Sequence, residues 1–299
     1  GGHVILAQTG RLRTIADVEH GLAEYADQGL EVTMAELLHR DLTDIILGAY
    51  FEVYNHTLRT FPESLYERAM VEELRRRGME VNQQDAYSIL YKGIKVGVQQ
   101  LDLFVMGEVC VENKAEEQLT PLHKAQAISY LKTVGKQVGL LLNFGGGSPQ
   151  FERLYFDHER RRPVNPPYQP STGMRAEGLL YPELVYQLVG GLFEVHRVLG
   201  PGFIHRIYAN ACYRELQLQG IEVQPFKRLD VQYKGVTIGS IAFGHLLAKD
   251  KVMIFPSTFQ YPQALQLDTL KQWMHQRNIS LGILANFWSN QLEVTFLRT

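Results

Sequence analysis

The sequence predicts an α/β protein made of two homologous domains in tandem. Three observations carry this: an internal repeat, a polar, proline-rich stretch between the copies, and within each copy an alternation of helix-spaced and strand-like apolar runs. GAYFEVYNHTLRTFPESLYERAMVEELRRRGMEV from Gly48 is matched by GGLFEVHRVLGPGFIHRIYANACYRELQLQGIEV from Gly190, an offset of 190 − 48 = 142. Continued to YKGIKVG (91–97) against YKGVTIG (233–239), the alignment holds 16 identities in 50 positions. VGLLLNFG (138–145) then meets LGILANFW (281–288) at an offset of 143, so the second copy carries one inserted residue between these anchors.

Residues 1–32 are an N-terminal extension. In it, Ile15, Val18, Leu22 and Tyr25 recur at helical spacing before Gly29, which predicts an amphipathic helix. The first domain, 33–157, opens with a helix over 33–58 that gathers Leu37, Leu38, Ile45, Ile46 and Tyr50 on one face. Pro62 starts a second helix with acidic residues early, arginines late and Gly78 just past its end, as the helix dipole and the glycine preference favour. Strand-like runs follow at 87–91, 95–105 and 108–114, then a helix from Thr120 to about Lys136, then QVGLLLNF and FERLYF as two more strands. The predicted order is helix, helix, three strands, helix, two strands. Residues 158–177, rich in Pro, charge and small polar side chains, read as an extended linker, and 178–299 is the second domain.

Composition bounds the function. With 299 residues and 45% apolar content the chain can bury two cores, and a net charge of −2 confines any nucleic-acid contact to local patches. The two cysteines, Cys110 and Cys212, exclude a disulfide framework or a thiolate zinc site and suit a cytoplasmic setting. No apolar run is long enough to span a membrane, and GGHVILAQTGRLRT does not read as a secretion signal. Of the two arginine triplets, 75–77 ends a helix and reads as a solvated face, while 160–162 sits in the linker and is open to phosphate contact.

The stretch VCVENKA, 109–115, is strand-like yet carries Glu112 and Lys114, which share one face because strand side chains alternate. A hairpin at Met106-Gly107 brings Asp102 of the preceding strand near Glu112. Asp, Glu and Lys at one strand edge are what a Mg²⁺-dependent phosphodiesterase needs: hard oxygen ligands for a cation and an ammonium to steer the attacking water. On residues alone the pair reads equally as an ordinary ion pair on an exposed strand, of little energetic weight.

FPESLYERA, YKGIKVG, LDLFV, VCVENKA, LTPLHKAQAISYLK and VGLLLNFG together resemble the GxxExxY proteins, a branch of the PD-(D/E)XK nuclease superfamily. The resemblance covers about 35–157 and, more weakly, 178–299. It implies for each domain a central mixed β-sheet flanked by helices. It also implies that Asp102, Glu112 and Glu63 bind Mg²⁺ or Mn²⁺, that Lys114 completes the E-x-K pair, and that Gln126 and Tyr130 form the supporting Q-x-x-x-Y helix signature of a nuclease acting on DNA or RNA. Tyr66 matches the closing tyrosine of the helix motif, whose opening glycine is replaced by Thr60. Without the resemblance, Glu63 reads as a helix-start carboxylate and Gln126 and Tyr130 as a helix edge.

In the second copy the repeat offsets place His205 at Glu63, Gly244 at Asp102, Phe255 at Glu112, Ser257 at Lys114, Thr269 at Gln126 and Trp273 at Tyr130. Every candidate group is replaced, while Gly202 and Tyr208 keep the helix motif. The second domain is therefore expected to be a pseudo-nuclease for binding or for assembly with itself or a protein partner. The alternative for the whole chain is a non-catalytic adaptor built on duplicated nuclease folds.

Overall fold

The computed structural model describes residues 38–163, 180–259 and 267–299. The helix expected within 1–32 and most of the expected linker lie outside the described residues.

In the first copy, α1 (Arg40–His56) is followed by α2 (Glu63–Arg76), whose first turn holds Glu63 and whose last holds Arg75 and Arg76. Gly78, at φ 78°, takes the left-handed position beyond its end. Arg76 and Arg77 pair with Glu72 and Glu73 one turn back, the solvated-face arrangement expected of that triplet. The sheet orders β1 (Val81–Gln83), β4 (Leu103–Val105), β5 (Val109–Lys114), β6 (Val138–Asn143) and β7 (Gln150–Tyr155) side by side in that sequence. Only β5 and β6 run parallel, joined through α3 (Pro121–Val134), so the sheet is mixed as the sequence implied. Met106 and Gly107 both adopt positive φ and Glu108 N–H donates to Val105 C=O, the mirror-image turn that joins β4 to β5. Val109 and Val111 pack into a core with Tyr50, Tyr66, Leu74, Leu140 and Phe144, so Cys110, Glu112 and Lys114 project from the opposite face of β5.

Two strands depart from expectation: β1 (Val81–Gln83) is not predicted by the sequence pattern, and the run 95–105 is not one strand. The run 95–105 breaks at Leu101-Asp102: its first part is β3 (Ile94–Gln100), paired with β2 (Ala86–Tyr91) in a separate two-stranded hairpin, and its second is β4. By contacts, the chain forms two compact units. One comprises the described residues up to Asp85 with Leu101–Ala127 and Lys136–Tyr155; the other comprises Ala86–Gln100, Ile128–Gly135 and the described residues from Phe156 onward. The β2–β3 hairpin of the first copy thus belongs to the unit built by the second.

The second copy repeats the plan with α4 (Pro182–Leu199), α5 (His205–Leu218), β8 (Val223–Tyr233), β9 (Val236–Ala248), β10 (Val252–Ser257), α6 (Leu267–Gln276), β11 (Leu281–Asn286) and β12 (Glu293–Arg298). Its sheet has the order β8-β9-β10-β11-β12, again with one parallel pair, β10 and β11. Here β8 and β9 run on uninterrupted where the first copy divides into β1 and β2, and into β3 and β4. The strand register also corrects the sequence alignment. Leu103 pairs with Val111 and Leu246 with Ile254; since 111 + 143 = 254 and 103 + 143 = 246, the larger offset already holds at β4. Asp102 therefore corresponds to His245 and not to Gly244, and the extra residue lies at Phe243-Gly244, where the β8–β9 register shifts.

The tyrosine kept in both copies has a structural task. Tyr66 OH donates to Leu58 C=O and accepts from Phe61 N–H at 3.2 Å, and its ring stacks on Phe144; Tyr208 repeats this with Gly200, Phe203 and Phe287. Each clamps the loop leading into its helix. Tyr66→Phe leaves two backbone groups without that partner and is expected to cost about 1–2 kcal/mol, read as a lower urea midpoint with an unchanged slope.

Candidate active site

The break in the strand run positions Asp102. Gln84 N–H bonds to its carbonyl at 3.1 Å, and its carboxylate accepts Asn113 N–H across the hairpin at 2.9 Å. One residue either side of Asn113, Glu112 and Lys114 emerge on the shared face predicted for them. Lys114 Nζ lies 2.6 Å from Glu112 Oε1 and 3.5 Å from Glu63 Oε1. Glu112 is 3% and Lys114 7% exposed, whereas Glu63, at the start of α2, is half-exposed and opens the cluster to solvent. Four of the six candidate residues, Glu63, Asp102, Glu112 and Lys114, thus converge. Gln126 is half-buried on α3 in the same unit; Tyr130, one turn on, is buried and groups with the second unit.

Burial sets the electrostatics. Glu112 is pushed up to about 8 by desolvation and then by the neighbouring Asp102, with Lys114 pulling the other way. Asp102 is pushed up to about 6, again by burial first, against the Asn113 N–H bond and Lys114, with Glu63 and Glu67 adding repulsion. Burial works against the charge of Lys114, but Glu112 more than offsets it and the ammonium titrates above its ordinary value. Glu112 Oε2 is buried with no hydrogen-bond partner. Among the described residues no three His, Cys, Asp or Glu side chains stand close enough together to cage a metal ion; in this arrangement the Lys114 ammonium is the cation that Glu112 and Glu63 share.

Three contributors escaped the sequence reading. Glu67 follows Glu63 by one helical turn, is buried, and receives Gln84 Nε2 at 2.8 Å on both oxygens; the i, i+4 spacing from Glu63 was the available signal. Gln84 reaches the site through the pairing of β1 with β4, which no local pattern encodes. Asn143 fastens the chain leaving Lys114: its amide bonds both Glu116 N–H and Glu116 C=O, and Gly145 passes so close that a Cβ there would stand 2.3 Å from Glu116 O. Asn286 holds Phe259 in the same way in the second copy, so this clamp belongs to the scaffold.

In the second unit the equivalent positions hold stacked rings. His205 stacks on Phe243, His245 lies between Phe226 and Phe255 at 5.1 and 6.1 Å, and Phe243 adjoins Trp273. Phe226, Ala209 and Pro256 stand where the first copy has Gln84, Glu67 and Asn113. Burial lowers the pKa of both histidines and favours their neutral forms.

A mixed sheet with a parallel central pair, crossed by a helix and carrying Glu-x-Lys on the strand before that crossover, defines a nuclease-like fold. A family model described as the PD-(D/E)XK nuclease superfamily matches residues 40–154 and again 182–299, and the chain belongs to that superfamily, in two tandem copies. No curated protein matches the chain. Among the described residues no helix is long and apolar enough to cross a membrane.

Proposed function

We propose that the first unit is a metal-dependent phosphodiesterase of the GxxExxY branch, acting on DNA or RNA, and that the second copy is a pseudo-nuclease. The observation that carries this is the contrast between the copies. The same scaffold holds a buried Glu112–Lys114 pair beside Asp102 and Glu63 in one, and stacked aromatic rings in the other. The fold does not require these charges, and keeping a buried Glu112–Lys114 pair with Asp102 beside it opposes stability, so their retention points to chemistry.

Asp102, Glu112 and Glu63 are the residues to hold Mg²⁺ or Mn²⁺. Their oxygens are the hard donors such ions take; burial raises Asp102 and Glu112 first, and the carboxylate repulsion added to it is what a dication relieves. The bound ion would supply charge stabilisation at a phosphate oxygen and a more acidic water. Lys114 orients that water and offsets negative charge growing on the phosphorus oxygens, while the Asn113 N–H bond fixes the Asp102 carboxylate. Gln126, on α3 in the same unit, serves as a supporting group toward phosphate.

The test is cleavage of labelled single- and double-stranded DNA and RNA with Mg²⁺ or Mn²⁺. The parent chain is expected to cut at least one substrate, and Lys114→Ala to cut it at least about 10²-fold more slowly. Glu112→Gln in the full chain should leave no residual cleavage, because the second copy offers no replacement. A folded, metal-supplied parent that cuts nothing would overturn the reading. It would favour the adaptor alternative, which the erased second site already supports.

A further inference from the structure

We propose that the β8–β9 hairpin docks on α2 of a second copy of this chain, reproducing between molecules a contact that the second unit makes within itself. In that unit the β2–β3 hairpin lies against α5. Ile89, Tyr91 and Val96 enter its core, and Gly97 approaches so closely that a Cβ would stand 2.3 Å from Ile207 Cδ1. Asn210 Nδ2 donates to Val96 C=O at 2.7 Å. Tyr91 OH and Lys92 Nζ both reach Glu215 Oε2, at 2.7 and 2.8 Å, and Lys92 also meets Glu194 at 3.0 Å. The helix column Ile207, Ala211, Glu215 is buried by this contact.

Both halves of the contact recur, the tip of the hairpin exposed and the helix column partly so, with Glu73 and Glu52 paired to Arg77 and His56 one helical turn on. At an offset of 142, Ile89, Tyr91, Lys92, Gly93, Val96 and Gly97 become Val231, Tyr233, Lys234, Gly235, Ile238 and Gly239. The hairpins close on the same Lys-Gly turn, with both residues at positive φ in each. Tyr91 is fully buried and Val96 3% exposed, whereas Tyr233 is 61% and Ile238 65% exposed. On the acceptor side, Ile207, Ala211, Glu215 and Glu194 become Leu65, Ala69, Glu73 and Glu52. Leu65 is 40% exposed, against 0% for Ile207. The repeat therefore identifies what each surface fits: Gly239 over Leu65, and Tyr233 and Lys234 toward Glu73 and Glu52. The occupant is the α2 helix of a second copy, because the repeat matches the hairpin to that helix and each chain carries one donor hairpin and one acceptor helix. None of this depends on the catalytic reading.

Sedimentation velocity at rising protein concentration tests it. The parent is expected to self-associate. Gly239→Val adds a side chain where a Cβ meets nothing within 4 Å among the described residues but would collide with a docked helix, and Leu65→Asp charges the acceptor. Each is expected to weaken association at least about tenfold with thermal stability retained. Mixing Gly239→Cys chains with Leu65→Cys chains should give a disulfide-linked dimer, since Cys110 and Cys212 are buried. A parent that stays monomeric, an association indifferent to both substitutions, or a doubly substituted chain that cross-links within one molecule would each overturn the proposal.

Discussion

Above the folded pKa of Glu112, about 8, Lys114→Met is expected to destabilise the first unit by about 3–5 kcal/mol, whereas Glu112→Leu combined with Lys114→Met should return stability to the parent value or raise it by about 1–4 kcal/mol. The single change removes the ammonium at 2.6 Å from a carboxylate that is 3% exposed. Above about pH 8 Glu112 must then remain charged without its partner or take up a proton, and either is unfavourable there. The double change removes both desolvation penalties and fills the space with side chains of similar volume. The second copy, with Phe255 and Ser257 at these positions, shows the fold accepting an uncharged strand there. Both tryptophans, Trp273 and Trp288, lie in the second unit, so their fluorescence follows that unit alone. Calorimetry then isolates the transition of the first. A single variant as stable as the parent would mean that Glu112 is not held as a buried anion, and the ion-pair account would fail.

Much of this arrangement was legible in the sequence because it is local or repeated. The duplication, the order of the helices and the turn at Met106-Gly107 rest on periodicity, breakers and self-similarity. The face shared by Glu112 and Lys114 follows from strand alternation alone. What was missed is non-local. Residues 95–105 read as one strand because nothing in their pattern marks Leu101-Asp102 as a junction; the break arises where one part pairs with β2 and the other with β5. The assignment of Asp102 to Gly244 failed by one residue because identities fade after Gly97 and only the ladder shows where the insertion falls. Glu67 was within reach of helical spacing, but Gln84 depends on which strands are neighbours. That the β2–β3 hairpin packs on the second copy's helix could not be read from a repeat, which reports ancestry and is silent on which copy an element packs against.

Without divalent metal, the stability of the first unit is expected to fall as pH rises from about 5 to about 8, the reverse of ordinary acid denaturation; the histidines whose pKa burial lowers, which act the other way, lie in the second unit. Asp102 and Glu112 are pushed up to about 6 and about 8 by burial first and by neighbouring carboxylates, against values near 4 in an unfolded chain. Between those limits the folded state binds more protons than the unfolded state. Raising the pH therefore favours unfolding, and the penalty is complete once the pH passes the folded value of Glu112. Lys114, raised above its ordinary value, contributes stability that is lost only at much higher pH and leaves this window untouched. Mg²⁺ or Mn²⁺ should act most strongly at the alkaline end, because a cation competes with the protons that Asp102 and Glu112 would otherwise take up. The measurement is the calorimetric transition of the first unit across this range with chelator and with Mn²⁺, together with proton release on metal addition. Glu112→Gln should flatten much of the slope and reduce the metal-induced shift. A stability that rises with pH in chelator, or a metal shift independent of pH, would show that these carboxylates neither repel one another in the folded state nor meet a cation there.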